Sequence, residues 1–311
     1  MNGKPKGFVP VMLTPFRADG TVDYDGLTRI TELYLEAGAS GLFANCLSSE
    51  MFELSAEERL AVVEHVVRVA SGSVPVVATA TFGGLVGQQA DDVKRMYETG
   101  IEAAIVITNM LVGEGAPDEE FEDQLNALLD ATEAVPLGLY ECPDPFKRVL
   151  SAEQLGRYVD TGRVIYHKDT CLDIGLVKAK LSATEHKDAF GLYDAYMVHA
   201  VESLKAGSAG LSCIQGNYFP ELVVWLCEHY DDESLAGEVD KVQQFFVDHM
   251  DVMHHMYPVV AKYFLTKRNL PIELFTRKAM GGLDAGLRQD VDRLFADYEQ
   301  LYKSLDVRLV V

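Results

Sequence analysis

The segment Arg163-Val164-Ile165-Tyr166-His167-Lys168-Asp169-Thr170 has the pattern of a short buried strand that ends in a lysine. Its valine, isoleucine and tyrosine favour β-strands, and a helical pattern follows from about Leu172. A lysine at the end of a buried strand is costly unless it is paired or used in chemistry. In one interpretation, Lys168 is an amine desolvated in an apolar pocket, with a lowered pKa and a lone pair free to attack a ketone. In the other, it is a structural lysine that pairs with Asp169 or extends to the rim of the fold.

The alternation of strand and helix continues on both sides of this segment. Predicted strands lie at residues 8–13, 40–44, 75–80, 103–108, 136–140, 163–170, 189–193 and 209–214. Helices are predicted between them, with capping boxes beginning at Ser55 and Ser151 and with Pro117 and Pro220 at first helical positions. Near-continuous apolar strands in eight strand–helix units indicate a parallel sheet covered on both faces. The pattern predicts an α/β fold, a (β/α)8 TIM barrel. A doubly wound open sheet is disfavoured, since no glycine-rich dinucleotide fingerprint follows the first strand.

The strand pattern stops near residue 230. Beyond it, residues 243–255, 258–266 and 287–305 show the helical spacing of apolar side chains. We therefore predict a catalytic (β/α)8 barrel at residues 1–230 and a C-terminal helical extension at residues 231–311. A chain of 311 residues is long enough for a large domain of this kind.

The composition limits the partners that the protein can have. A formal net charge of −21 argues against nucleic acids and anionic membranes. No apolar run is long enough to span a membrane, and the first residues lack the apolar core of a secretory signal. The five cysteines are an odd number, which argues against a disulfide framework. These features predict a cytoplasmic protein whose partner is a small molecule. An anionic substrate would have to be bound by local hydrogen-bond donors.

In a barrel of this kind, catalytic residues lie at the carboxyl ends of the strands. The chemically capable side chains predicted there are Thr14, Ser48, Ser49, Tyr140, Glu141, Lys168 and Ser212. The lysine can form an imine, the tyrosine can transfer a proton, and the paired serines with their backbone N–H groups can hold a carboxylate. Each residue alone has a simpler explanation, because a strand-end tyrosine often only packs and two adjacent serines often only form a turn. Their joint placement favours an active site.

These segments resemble the dihydrodipicolinate synthase / N-acetylneuraminate lyase family, class I aldolases on a (β/α)8 barrel, over nearly the whole chain. The matching segments are residues 8–16 with their Thr-Pro-Phe ending, 41–59 with Glu50 in the family's Gly-Thr-Thr-Gly-Glu motif, 140–143 at Tyr-Asn-x-Pro, 165–169 at Gly-x-Lys-Asp, and 207–220 at Gly-x-x-Gly with its later Asn and Pro. The resemblance implies that Lys168 forms a Schiff base with a 2-oxo acid, that Tyr140 transfers protons at the imine, and that Ser48 helps to bind the carboxylate. It also implies a homo-oligomer, a homotetramer or homodimer, and no cofactor beyond the covalent imine on Lys168.

Several positions depart from the family pattern. In the Gly-Thr-Thr-Gly-Glu motif, the first threonine is replaced by Leu47 and the two glycines by Cys46 and Ser49. The synthase's second relay tyrosine aligns with Met110 or Leu111. Pro145 stands at the position of the synthase's arginine, and Lys147 and Arg148 follow slightly later. A leucine side chain can neither donate nor accept a proton. The proton relay is therefore predicted to be altered. An apolar surface there favours a second substrate without a carboxylate at that place.

The predicted function is a Schiff-base-forming lyase, an aldolase or a dehydratase, that acts on a 2-oxo acid such as pyruvate or a 2-keto-3-deoxy sugar acid. The alternative is a non-catalytic 2-oxo-acid-binding or regulatory protein on the same barrel, because a fold does not guarantee activity. Lys168 favours the enzyme, since a binding protein has no need of a desolvated amine.

Two other groups of residues have competing interpretations. Cys46, Cys142, Cys171 and Cys213 fall near strand ends, but their spacing matches no standard ligand motif. Small apolar filling is therefore favoured over a metal site, and no metal is predicted. Glu141 can act as an acid or base, or it can form a salt bridge with Lys147 or Arg148.

Overall fold

The computed structural model describes residues 7–305. In that part of the chain, eight strands alternate with helices: β1 (Gly7–Phe8), β2 (Leu42–Phe43), β3 (Val76–Thr79), β4 (Ala103–Ile107), β5 (Leu137–Tyr140), β6 (Val164–Asp169), β7 (Gly191–Asp194) and β8 (Gly210–Leu211). The helices that follow the strands are α1 (Tyr24–Glu36), α2 (Ala56–Ala70), α3 (Val86–Tyr97), α4 (Asp118–Ala131), α5 (Ala152–Asp160), α6 (Ile174–Thr184), α7 (Ala200–Ala206) and α8 (Pro220–His229). The C-terminal helices are α9 (Ala236–Asp248), α10 (Met250–His254), α11 (Val259–Lys267) and α12 (Ala285–Ser304).

The strands form one parallel sheet in the order β1-β8-β7-β6-β5-β4-β3-β2. A parallel bridge between Val11 and Phe43 joins the two ends of that order, so the sheet closes on itself. β8 approaches β1 so closely that a Cβ on Gly210 would lie 1.7 Å from the carbonyl oxygen of Gly7, and only glycine fits there. The predicted (β/α)8 barrel is confirmed, and the open sheet is excluded.

All eight strands are shorter than the sequence predicts, and β1, β2 and β8 are shortened most. Regular pairing of β1 ends at Phe8 because Pro10, two residues later, has no N–H to donate to a neighbouring strand. Contact with β2 resumes only as the bridge at Val11. The position of the strand is correct in the prediction, but its hydrogen-bonded length is not.

Helix starts follow the predicted signals at three of four positions, and α8 begins at Pro220 as predicted. Ser55 accepts a hydrogen bond from the N–H of Glu58 before α2, and Ser151 accepts one from the N–H of Gln154 before α5. Pro117 was predicted as the first helical residue, but it is the N-cap of α4. Proline still suits this place, because a residue at the start of a helix makes no hydrogen bond within the helix through its own N–H.

Side chains of the sheet alternate between the barrel interior and the helix layer. On β4, Ile105 packs in the interior cluster, whereas Val106 packs in the cluster that the strands share with the surrounding helices. The strands are therefore apolar on both faces, which explains their near-continuous apolar runs in the sequence.

A β-bulge interrupts this alternation on β6. Val164 lies opposite Leu137 of β5 and packs in the helix layer. The next pair joins Tyr166 to Gly138, and Tyr166 packs in the barrel interior. Ile165 is the extra residue, and it sets which of the following side chains of β6 face inward.

The described residues after 230 form helices and no strand. The helix predicted at residues 243–255 is two helices, α9 and α10, which meet at His249, where φ is −104° and ψ is 11°. Aromatic rings join this extension to the barrel, since Phe264 and Tyr298 lie 4.9 and 5.0 Å from Phe219, centroid to centroid. The boundary at residue 230 stays a prediction. Within residues 7–305, no helix is long and apolar enough to cross a membrane.

Candidate active site

A cavity of about 920 Å³ opens at the carboxyl ends of the strands. Barrel residues in its wall include Leu47, Ser48, Met110, Tyr140, Lys147, Lys168 and Ser212, and the extension contributes Met250, His254, Tyr257 and Lys278. Volumes of this order accommodate a small-molecule ligand. The cavity lies where chemistry is expected in this fold, and the extension forms part of its wall.

Lys168 is held in the cavity wall by the ladder of β6. Its backbone lies in register between Tyr140 of β5 and Tyr193 of β7. The side chain is buried, and its Nζ lies 4.2 Å from the centroid of the Tyr140 ring. Among residues 7–305, no carboxylate lies within ion-pair distance of this amine. Burial penalises the charged form and lowers the pKa of Lys168 from its ordinary value of 10.5, so the neutral, nucleophilic amine becomes more accessible.

Three buried thiols, those of Cys46, Cys142 and Cys213, lie close enough to Lys168 to interact with it electrostatically. Burial raises the pKa of each thiol, and that of Cys213 to about 12. The thiols are therefore uncharged at neutral pH and supply no counter-charge that would keep the lysine protonated. These three cysteines act as small apolar side chains close to Lys168.

Tyr140 faces the same cavity from β5. Its ring packs edge-on against Phe43, with 5.7 Å between the ring centroids. Burial raises the pKa of the Tyr140 hydroxyl well above 10, with smaller contributions from the thiols of Cys142 and Cys46. The hydroxyl therefore stays protonated at neutral pH. It can take up a proton from a substrate only if it passes on its own proton.

The loop after β2 presents one of its two predicted serines to the cavity. Residues Leu47–Ser49 form a 3₁₀ helix, and Ser48 lines the cavity. The Ser49 hydroxyl instead accepts from the Cys46 N–H at 2.8 Å and donates to the Met12 carbonyl oxygen at 3.0 Å. The Ser49 N–H donates to the Cys46 carbonyl oxygen at 2.9 Å. The expectation that Ser49 binds a carboxylate is therefore corrected, because its donors are used within the protein.

Three other predicted residues differ in their placement. Ser212 lines the cavity and accepts a hydrogen bond from the Tyr166 hydroxyl at 3.3 Å. Thr14 is buried outside the cavity wall, and its Oγ1 has no hydrogen-bond partner among the described residues. Leu111 packs in the helix layer, while its neighbour Met110 lines the cavity. Direct substrate contacts of Thr14 and Leu111 are thus not supported by where they lie.

Glu141 points away from the cavity, into a buried cluster behind β5 and β6. The Lys180 amine of α6 donates to Glu141 Oε1 at 2.5 Å and to Asp169 Oδ2 at 2.7 Å. His167 Nε2 lies 3.5 and 3.6 Å from the same two oxygens, and all four side chains are buried. Asp169 is therefore committed to Lys180, which rules out the structural interpretation of Lys168 as its partner.

The same cluster corrects the expectations for Glu141. The sequence predicts Lys147 or Arg148 as its salt-bridge partner, and this is wrong. Lys147 donates to the Thr170 carbonyl oxygen at 2.7 Å, and Arg148 pairs with Asp118 at 2.6 Å. Because Glu141 does not line the cavity, direct acid or base chemistry on a substrate there is not supported either.

The ligand atoms of Glu141, His167 and Asp169 converge closely enough to hold a metal ion. The Lys180 ammonium, however, already hydrogen-bonds both carboxylates. Burial opposes the charge on Lys180, but the two carboxylates outweigh it and raise the pKa of the amine. Burial also opposes charge on His167, whose pKa the same carboxylates raise. The group is an ion-pair cluster as it stands, and the absence of a metal cofactor stays a prediction.

Sequence reasoning did not predict two contacts that the helical extension makes. Tyr257 enters from the loop between α10 and α11, and no periodic pattern marks such a loop residue. Lys262, on α11, forms a buried ion pair with Glu50 at 3.2 Å and so ties the loop after β2 to the extension. Glu50 matched the family motif, but nothing in the sequence paired it with Lys262.

Together these features define a class: (β/α)8-barrel proteins whose cavity is built around a buried lysine at the end of the sixth strand. Residues 4–297 match the model of the Dihydrodipicolinate synthetase family. The chain belongs to this family, and the resemblance seen in its motifs is confirmed.

Individual relatives are similar at low identity. The 4-hydroxy-tetrahydrodipicolinate synthase of Cellvibrio japonicus is 22% identical over 299 residues, which cover 96% of this chain and 97% of the relative. That of Hyphomonas neptunium is 27% identical over 265 residues, 85% of this chain and 88% of the relative. Among solved structures, YagE from E. coli, a prophage protein of the dihydrodipicolinic acid synthase family in complex with pyruvate, matches with a TM-score of 0.83 at 21% identity, covering 96% of this chain and 98% of its own. CdNal from Clostridium difficile, in complex with mannosamine, matches with a TM-score of 0.82 at 17% identity, covering 95% and 99%. At these identities, the solved structures show the fold.

Proposed function

We propose that the protein is a Schiff-base-forming lyase, an aldolase or dehydratase, that acts on a 2-oxo acid such as pyruvate or a 2-keto-3-deoxy sugar acid. The observation that carries this proposal is the buried Lys168 amine, which has no carboxylate partner within residues 7–305 and faces the cavity beside Tyr140. Family membership supports the reaction class, since the curated relatives are named as synthases and YagE was solved with pyruvate.

In the proposed reaction, the neutral Lys168 amine attacks the C2 carbonyl carbon of the 2-oxo acid. The carbonyl oxygen leaves as water, and a protonated imine forms on Nζ. Its positive charge draws electrons from a bond at C3, so that either a carbon–carbon bond or a C3–H bond can break. Tyr140 lies against the lysine and serves as the proton carrier at this centre. Burial of the Lys168 amine in this part of the cavity wall favours its unprotonated form.

The carboxylate of the substrate has three candidate donors in the cavity wall. They are the hydroxyls of Ser48 and Ser212 and the ammonium of Lys147. In the part of the chain that the structure describes, Lys147 has no carboxylate within ion-pair distance, so its charge is available to an anion. These three donors can attract an anionic substrate locally, whereas the overall charge of −21 repels it.

We also propose that the second substrate differs from that of the synthases. Leu47 and Met110 line the cavity and can neither donate nor accept a proton as a relay hydroxyl does. We therefore expect negligible condensation of pyruvate with aspartate semialdehyde. A coupled synthase assay at saturating pyruvate checks this, and turnover of about one per second or faster, within the ordinary range of enzymes, would contradict it.

Trapping with borohydride tests the imine. Incubation with pyruvate and borohydride should add a reduced pyruvyl group, and peptide mapping should place it on Lys168. Lys168→Arg should abolish both the adduct and turnover, because a guanidinium stays protonated and cannot attack. Lys178→Arg, at an exposed lysine of α6, is the matched control and should be trapped like the natural protein.

The outcomes separate the proposal from its rival. An adduct on another residue, or none, would end the imine mechanism. An adduct on Lys168 without turnover across a panel of 2-keto-3-deoxy sugar acids, with pyruvate release as readout, would favour the non-catalytic 2-oxo-acid-binding protein. Pyruvate release from a member of the panel would identify the reaction.

Three further proposals concern the state of the protein in the cell. We propose a homo-oligomer, a homodimer or homotetramer, and light scattering that shows a monomer at micromolar concentration would contradict it. A cytoplasmic location is supported by the five cysteines, all of which are free thiols. No cofactor is required by the proposed chemistry, because the imine on Lys168 itself serves as the electron sink.

A further inference from the structure

Tyr257 brings the helical extension into the cavity. It lies in the loop between α10 and α11, is half-buried, and shares the cavity wall with Ser48, Tyr140 and Lys168. A residue from outside the eight strand–helix units therefore stands beside the predicted imine and proton carrier.

Asn217, which follows β8, fixes the direction of the hydrogen bonds at Tyr257. Its Nδ2 donates to Tyr257 Oη at 2.6 Å and to the Val11 carbonyl oxygen at 2.9 Å. Its Oδ1 accepts from the buried Tyr34 hydroxyl, so the amide has one orientation. An amide nitrogen only donates, and Tyr257 Oη must therefore accept from it. The proton of Tyr257 therefore remains available to another acceptor, and the hydroxyl of Ser48 lies in the same cavity wall.

Tyr140 needs a neighbour of this kind. Its hydroxyl stays neutral, so it can accept a proton from a substrate only while it gives up its own. Leu47 and Met110, which line the same cavity, are chemically unable to take that proton. Tyr257 lines this cavity together with Tyr140.

We propose that Tyr257 is a positioning residue for proton transfer, which takes the proton displaced from Tyr140 and passes one on through Ser48 to the water of the cavity. The proposal rests on the proposed Schiff-base function. It assigns to the helical extension a part in the reaction that the barrel residues alone do not complete.

Every proton and electron pair in this step can be followed. In the imine of pyruvate, the C3–H bond breaks, its electrons form the C2=C3 bond of the enamine, and the imine nitrogen becomes neutral. The C3 proton goes to the Tyr140 oxygen as the Tyr140 proton leaves for Tyr257, directly or through one water. The Tyr257 proton passes to Ser48, whose own proton goes to water. No phenolate remains, and the reverse sequence protonates the enamine.

The test separates imine formation from proton removal. The natural protein and Tyr257→Phe are each given saturating pyruvate in D₂O. Borohydride trapping on Lys168 measures the imine, and the loss of the C3 methyl signal in proton NMR measures enamine formation. We expect Tyr257→Phe to be trapped to the same extent as the natural protein but to exchange C3 protons about 10²-fold more slowly, the lower end of the range for acid–base catalysis.

Two results would overturn the proposal: unchanged exchange in Tyr257→Phe, or trapping and exchange that fall by the same factor. The second would show that the tyrosine only supports the shape of the cavity. If the natural protein is not trapped on Lys168 at all, it is the proposed function that fails, and this outcome is distinguishable from either of the others.

Ser48→Ala keeps the proposal testable if Tyr257→Phe does not fold. At saturating pyruvate it should slow exchange more than trapping, and unchanged exchange would overturn the chain of transfers. If both variants fold, the double variant should be no slower in exchange than the slower single variant, because the two residues act in one sequence. Tyr263→Phe is the matched control, since this tyrosine of α11 bonds to exposed Asp292 outside the cavity, and its exchange rate should be that of the natural protein.

Discussion

Lys168 and Lys180 are both buried, yet their surroundings give them opposite properties. Lys168 faces the cavity with no carboxylate within ion-pair distance in residues 7–305, and burial lowers the pKa of its amine. Lys180 lies on α6, behind the sheet, and hydrogen-bonds the carboxylates of Glu141 and Asp169, which raise the pKa of its amine despite burial. Burial alone therefore does not make a nucleophile. The absence or presence of a partner decides whether a buried lysine is reactive or structural.

The two environments are built from the same two strands. At the end of β5, Tyr140 faces the cavity and the next residue, Glu141, faces the cluster. On β6 the same is true of Lys168 and Asp169. Successive side chains of a strand point to opposite faces, so each pair of neighbours serves both sites at once. The comparison predicts that substitutions at adjacent positions will have effects of different kinds.

The largest expected effect is on the cavity side. Tyr140→Phe should lower kcat about 10²–10⁴-fold, because it removes the hydroxyl that carries protons at the imine. Steady-state kinetics on whichever 2-oxo acid the substrate panel identifies would measure it. Glu141→Gln is the adjacent comparison, and the folded fraction of that variant should retain most of its kcat. An unchanged kcat in Tyr140→Phe would mean that the tyrosine only packs.

The next effect is on stability, and it should differ between the two lysines. Lys180→Met leaves two buried carboxylates without their shared cation and should lower the free energy of unfolding by about 3–5 kcal/mol. Lys168→Met removes a desolvated amine and should cause no loss. Urea denaturation at neutral pH measures both. Equal losses for the two variants would break the comparison.

The pH dependence of stability sharpens the same contrast. The pKa of Lys168 is lower in the folded protein than in the unfolded chain, so between these two values the unfolded chain binds more protons and stability rises with pH. We expect any advantage of Lys168→Met over the natural protein to be full below the folded-state pKa of Lys168. It should vanish as the pH approaches 10.5, the ordinary lysine value. Denaturation midpoints of the two proteins over this range would show it, and an advantage that grows with pH would contradict the lowered pKa.

A smaller shift is expected from Lys147. Burial is the main reason why the pKa of Lys168 is low, and the nearby positive charge of Lys147 adds to the effect. Lys147→Met should therefore raise the pKa of Lys168 and move the acid limb of the trapping rate to higher pH. Initial rates of borohydride trapping against pH would measure it, with Lys178→Met as control for the loss of a positive charge. A shift to lower pH would show that Lys147 does not act through its charge.

The smallest expected effect is at the surface. Lys178 pairs with Glu202 at 2.6 Å, but both side chains are about half exposed. Exposed ion pairs contribute little to stability. Lys178→Met should leave the urea midpoint unchanged within error, in contrast to Lys180→Met on the same helix. A comparable loss in both would show that Lys180 owes its importance to the helix and not to the buried carboxylates.

The barrel and the central lysine could be predicted because their signals are local. The Ser55 and Ser151 caps were predicted from their own tetrapeptides, and Lys168 was placed at the end of an apolar strand. Such signals depend on residues a few positions apart. They do not depend on how the elements pack.

The partners of buried groups could not be predicted, because they come from distant parts of the chain. Glu141 was expected to pair with Lys147 or Arg148, its neighbours in sequence, but it pairs with Lys180, 39 residues away. Tyr257 reaches Asn217 across 40 residues, from a helical region with no chemical motif. Ser49 looked like Ser48 in the sequence, and only the packing shows that its hydroxyl is used by Cys46 and Met12.

The bulge at Ile165 has a consequence for how this barrel can change its chemistry. If Ile165 were paired in the ladder instead of bulged, every later residue of β6 would shift by one position, and His167 and Asp169 would face the cavity in place of Lys168. An imidazole and a carboxylate there would suit metal binding or acid–base catalysis, whereas the amine would be turned toward Glu141 behind the sheet. The chemistry that β6 offers to the cavity is thus set by its register as much as by its composition. Deleting Ile165 would remove the bulge but leave Tyr166 opposite Gly138, so Lys168 would still face the cavity and the strand would keep its amine.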